Sequence, residues 1–190
     1  LHGDRTLDVA AGVARILEDL GVPSALIGAA ALAVHGYPRA TEDVDLAVAT
    51  DPFSTLAAAR RRIEEELGVA ASLVTPDADD PLGGVLTVTG EGFDPVQVVN
   101  FLNPLGTGSN PGRDAVEGAT AGLIAGTSLR VVTVPYLVAL KLYAGGYKST
   151  LDVLELLARN PATSRDEIGT ICARFGLAAE WGVIVTQLAR

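Results

Sequence analysis

Asp43 and Asp45 stand in the run Asp43-Val44-Asp45-Leu46-Ala47-Val48, where acids alternate with apolar residues before the chain turns wholly apolar. In an extended strand every second side chain projects to the same side. The two carboxylates therefore share a face, and Val44 and Leu46 turn toward a core. Carboxylates held side by side repel each other, and a hard dication between them, Mg²⁺ or Mn²⁺, removes the conflict. Upstream, the apolar run Ala25-Leu26-Ile27 ends at Gly28, and an alanine-rich segment follows and closes at Gly36. Glycine lets a phosphate approach the backbone, and a helix opening behind it presents free N–H groups. Arg39, in the loop from Tyr37 to Glu42, adds a planar fork that matches a pair of phosphate oxygens. Cation ligands, phosphate cradle and arginine within one strand-helix-loop-strand unit point to phosphoryl or nucleotidyl transfer. Each piece has a plainer reading. Paired acids occur at solvated strand ends, Gly28 could be an ordinary turn, and Arg39 a surface charge. The order Gly28, His35-Gly36, Arg39, Thr41, Asp43, Asp45 gives the chemistry its claim.

That order resembles the signature of the nucleotidyltransferase superfamily related to DNA polymerase β. The loop HGYPRATEDVDL is most similar to its AbiEii-type branch of minimal nucleotidyltransferases, found in bacterial toxin–antitoxin and phage-abortive systems. The resemblance implies catalytic metal ligands at Asp43 and Asp45, and nucleotide-side residues at Gly28, Ala29, Arg39 and Thr41. The family has Gly or Ser where this chain has Ala29, so the N–H survives and a hydroxyl is lost. A weaker match runs from Pro135 to Leu157, and it holds both lysines of a chain with fourteen Lys and Arg residues. There the resemblance implies a catalytic Lys141, a second basic residue at Lys148 on the nucleotide, and a catalytic Asp152 that orients a lysine or accepts a proton. Ser149 stands where the family usually has an Asp. The plainer reading makes Lys148 and Asp152 an exposed i,i+4 pair on a helix.

The third carboxylate of the family sits on a neighbouring strand. Here that strand reads Pro95-Val96-Gln97-Val98-Val99-Asn100, and Gln97 takes the acid's place. An amide binds Mg²⁺ poorly and cannot accept a proton from a hydroxyl. Asp94 is close in sequence but of opposite parity, leaving Asp94, Glu91 or Asp152 as candidate replacements.

Around these residues the pattern predicts an amphipathic helix over Thr6–Leu20, a helix ending at Leu67, strands over 69–74, 85–89 and 95–101, and short strands over 123–125 and 129–134. A helix opens at Pro135, and a capping box at Ser164-Arg165-Asp166-Glu167 starts another. The mixed-sign run Arg60-Arg61-Arg62-Ile63-Glu64-Glu65-Glu66 reads as a self-paired solvated face. The expected architecture is α/β (α+β): a small mixed sheet of about five strands with helices on one face. Residues 1–134 would form this unit, and 135–190 a helical C-terminal portion packed on it.

With 190 residues, 48% of them apolar, the chain can bury a substantial core. A net charge of −9 argues against broad DNA binding while allowing a nucleotide, an RNA end or a basic partner. One cysteine, Cys172 in an apolar setting, and no membrane-length apolar run suggest a reducing, cytoplasmic location. Two functions stand against each other. One is a Mg²⁺-dependent nucleotidyltransferase moving an NMP from an NTP to a hydroxyl of RNA or protein, as a toxin–antitoxin component with an antitoxin partner. The other is a degenerate module, signalled by Gln97 and Ala29, that binds nucleotide or a partner protein without turnover.

Overall fold

The computed structural model describes residues 3–189. It opens with α1 (Gly3–Asp19), whose Ala10, Val13, Ile16 and Leu17 are fully buried at helical spacing. The chain then turns at Gly21 (φ 72°) into β1 (Ala25–Leu26). Next come α2 (Gly28–Val34), β2 (Val44–Val48) and α3 (Thr55–Leu67), then β3 (Ala70–Val74), β4 (Val85–Thr89) and β5 (Val96–Asn100). The strands form one mixed sheet in the order β1-β2-β5-β4-β3. β2 and β5 are parallel, and the other neighbours antiparallel.

Alternation divides the sheet into two unlike faces. Leu46, Val48, Leu86, Val88, Val96 and Val98 are buried on one face. Asp45, Gln97, Val99 and Thr87 lie half-buried on the other. Each apolar side chain fully removed from water contributes roughly 1.5–3 kcal/mol, so the first face pins the register that presents Asp45 on the second.

The remaining helices are α4 (Gly112–Glu117), α5 (Val134–Ala144), α6 (Gly146–Arg159), α7 (Arg165–Arg174) and α8 (Ala178–Leu188). One continuous core runs from α1 through the sheet into α5–α8. α5 meets the second face, where Leu137 and Leu140 share a cavity lining with Val99 and Asp45, so helices are not confined to one side of the sheet.

Two further expectations differ. Segments 123–125 and 129–134 are not strands. Only isolated bridges form, Val131 with Leu26 and with Thr120, because β1 offers a two-residue edge and Gly122 and Gly126 turn the chain at positive φ. The apolar run after Pro135 is also broken. Gly145 (φ 70°) and Gly146 (φ 81°) stop α5 and start α6, which separates Lys141 from Lys148 onto two helices. The capping box and the self-paired run form as expected: Glu167 N–H donates to Ser164 Oγ at 3.2 Å, and Arg62 pairs with Glu66 at 2.6 Å. No helix among the described residues is long and apolar enough to cross a membrane.

Candidate functional site

Asp45 leaves β2 directly across from Gly28, the first residue of α2. Gly28 has φ 62°, and a Cβ built there would run into Oδ2 of Asp45. Only glycine therefore lets the backbone that opens α2 sit against this carboxylate. The contact is held by the sheet itself, since Ile27 N–H donates to Asp45 O at 3.0 Å and Leu26 pairs with Leu46. As the first residues of the helix, Gly28 and Ala29 have no intrahelical carbonyl for their N–H groups. Both line a cavity of about 570 Å³ together with Arg39, Ala40, Thr41, Glu42, Asp43, Asp45, Lys141 and Lys148. Eight of the nine site residues expected from the sequence converge there. Asp152 does not line it.

The two acids differ in their surroundings. Asp43 accepts a 2.7 Å hydrogen bond from Thr41 Oγ1 at one oxygen and a 3.4 Å bond from Gln97 Nε2 at the other. Asp45 accepts none at its carboxylate from the described residues. Burial, then the charge of Asp43, push its carboxyl up from 3.8 to about 6, against the pull of Lys141 and Arg39. A carboxylate so placed carries unrelieved repulsion, and hard oxygen donors facing an open cavity are the donor set a divalent cation takes. The residues present fit such an ion at Asp43 and Asp45. Among the described residues no three of His, Cys, Asp or Glu converge, so the set stops at two carboxylates.

Asp152 lies behind the cavity on α6, with its side chain 3% exposed. Its Oδ2 accepts a 2.8 Å bond from Lys141 Nζ on α5, and its Oδ1 sits 3.2 Å from Arg39 Nε. The i,i+4 pairing of Lys148 with Asp152 does not form. Asp152 instead ties the helical half to the Arg39 loop, and Lys148 faces the cavity without an ion-pair partner among the described residues. The geometry at Arg39 falls short of a hydrogen bond, which leaves its buried Nε–H without an acceptor. The loop carrying Arg39 is anchored further back: Asn160 Nδ2 donates to His35 O at 2.8 Å, His35 Nε2 is 2.7 Å from Val132 O, and Arg159 lies over the Tyr37 ring at 4.8 Å.

Neither sequence candidate for a replacement acid on the β5 side comes to the cavity. Asp94 is fixed through its N–H to Thr6 Oγ1 at 3.0 Å, and neither it nor Glu91 lines the site. Cys172, buried in α7, has its thiol pushed up to about 11 by burial and stands apart from the site. Sequence reasoning missed a second, more apolar cavity of about 260 Å³. It shares Gly28, Asp45 and Lys141 with the first and is otherwise lined by residues such as Leu82, Val99, Phe101, Leu140 and Tyr143. Its residues come from three distant segments, so no local pattern could have revealed it.

No family model matches the chain, and no curated protein does. Solved structures do. The solution structure of the antibiotic-resistance factor ANT(2'')-Ia aligns over 97% of this chain and 98% of its own at TM-score 0.54 and 13% identity. A crystal structure of ANT(2'')-Ia in complex with adenylyl-2''-tobramycin covers 90% of this chain and 97% of its own, at TM-score 0.53 and 16% identity. The fold is that of nucleotidyltransferases. An antigenic nucleotidyltransferase-like protein from Paracoccidioides brasiliensis is similar in the same way, over 90% of this chain and 87% of its own, with TM-score 0.52 and 19% identity. On the nucleotidyltransferase fold of this chain, the paired acids, the glycine bend and the two lysines all open onto one cavity.

Proposed function

We propose that this chain is a divalent-cation-dependent nucleotidyltransferase that moves an NMP from an NTP to an acceptor hydroxyl. One observation carries the reading: Asp43 and Asp45 face the Gly28–Ala29 backbone across a cavity that also receives Arg39, Lys141 and Lys148. Asp43 and Asp45 would hold Mg²⁺ or Mn²⁺, which when bound supplies charge neutralisation for the triphosphate and its leaving group. The N–H groups of Gly28 and Ala29 would donate to phosphate oxygens, and Thr41 holds Asp43 in place. Arg39 offers an orphaned Nε–H, and Lys141 and Lys148 offer compact charges to the triphosphate. Asp152 would hold Lys141 and Arg39 in position from behind. The acceptor oxygen bonds to the α-phosphorus, the bond from that phosphorus to the bridging oxygen breaks, and pyrophosphate leaves with the electron pair. The apolar cavity beside Asp45 suits a planar group, the base of the nucleotide or part of the acceptor.

In this reading residues 1–134 carry the cation side and 135–190 bring the two lysines. The HGYPRATEDVDL loop supports an AbiEii-type role in the cytoplasm, with an RNA end or a protein as acceptor and an antitoxin as partner. The test is incubation with MgCl₂, α-labelled NTPs and total RNA or lysate. Label transfer that vanishes in Asp45→Ala supports the enzyme. Cation-dependent nucleotide binding with no transfer to any acceptor would replace it with a binding module.

A further inference from the structure

The place of a third carboxylate is occupied by Gln97, and its surroundings show what that change does. Gln97 on β5 is paired in register with Asp45 on β2, so its side chain belongs to the same face as the acids. Its Nε2 donates to Asp43 Oδ2 at 3.4 Å, while Thr41 Oγ1 holds Oδ1 at 2.7 Å. Both oxygens of Asp43 thus have protein donors, and Asp45 alone presents an uncommitted carboxylate. No other acid compensates. Asp152 is committed to Lys141 and Arg39, and Glu42 on the cavity lining completes no group of three ligands among the described residues. The charged side chains lining the cavity are already balanced: Arg39, Lys141 and Lys148 against Glu42, Asp43 and Asp45.

We infer that this site, read as the cation-dependent nucleotide site proposed above, holds a single divalent cation with its nucleotide, and that Gln97 is the residue that excludes a second. Two dications about 4 Å apart repel in proportion to the product of their charges, and a bridging or flanking carboxylate offsets that repulsion. An amide brings no charge, and here its N–H₂ group points at the one acid the second ion would have to share. The cation that remains belongs with the triphosphate, because Asp45 lies against the Gly28 backbone on the phosphate side of the cavity.

The test counts bound Mn²⁺ by the loss of its free-ion EPR signal. The full chain is titrated with MnCl₂ in the presence of a saturating ATP analogue whose α,β bridge is methylene, so that no turnover occurs. Wild type should take up one Mn²⁺ per chain with the analogue, and Gln97→Asp or Gln97→Glu should take up two. The second ion should be lost again when Asp43→Asn is added. Gln97 is half-buried on an open sheet face, and the Glu variant preserves its length should the Asp variant fold poorly. Two ions in wild type would overturn the inference while leaving the nucleotidyltransferase reading intact. One ion in both Gln97 variants would also overturn it, since something other than the amide would then limit the site. No Mn²⁺ in any of these proteins would overturn the cation-dependent reading as well.

Discussion

Asp45→Asn should stabilise the fold when no cation is present, although it abolishes the proposed activity. The carboxyl of Asp45 is raised from 3.8 to about 6 by burial and by Asp43, and about 1.4 kcal/mol accompanies each unit. Above pH 7 the charged form therefore costs the native state about 3 kcal/mol. Asp45 is partly open to the cavity, and solvent screening brings this to about 2 kcal/mol. For a chain of this length that is a rise in Tm of about 4–8 °C at pH 7.5 in EDTA, read by calorimetry or thermal unfolding. The sign with pH follows from the raised value. Between about 4 and 6 the native state binds the proton more tightly than the unfolded chain, so wild type gains stability as pH falls through that window. The gap between wild type and Asp45→Asn should then close by pH 4. Adding MgCl₂ and ATP should raise the Tm of wild type and leave the variant unmoved. A lower Tm for Asp45→Asn at pH 7.5 without cation would refute the reasoning. Attraction to Lys141 and Arg39 would then outweigh burial and repulsion, and Asp45 would be an ion-pair partner rather than a waiting ligand.

Gly28→Ala should cost about 1–3 kcal/mol in denaturant unfolding, from the positive φ and the collision with Asp45, and should abolish nucleotide binding by calorimetric titration. Lys148→Ala should leave stability within about 0.5 kcal/mol, because the side chain has no ion-pair partner among the described residues, and should raise the KM for NTP about tenfold. Asp152→Asn should behave oppositely. Breaking the buried bridge to Lys141 and Arg39 costs about 3–5 kcal/mol, visible as a lower denaturation midpoint before any assay of transfer.

Much of the site's metal side was legible because it is local. The two-residue period of β2 places Asp43 and Asp45 together whatever surrounds them, and Gly28 closes an apolar run in the only way its neighbours allow. The amphipathic spacing of α1 and the capping at Ser164 were legible for the same reason. The run after Pro135 misled, since helix-forming residues on both sides of Gly145-Gly146 hide a break that only two positive-φ glycines in succession create. The expected strands near 123–134 failed for lack of a partner edge, which no local pattern reports.

By itself, then, the amino-acid order determined which chemical groups are present and which neighbours along one strand or one turn look the same way. Tertiary structure alone decided the company they keep. Asp152 finds Lys141 and Arg39 rather than Lys148, Gln97 finds Asp43, and an apolar cavity opens beside Asp45 between segments far apart in the chain. The physical reason is the range of the forces: backbone periodicity acts over a few residues, whereas burial and charge pairing act between any groups that packing brings within a few ångströms.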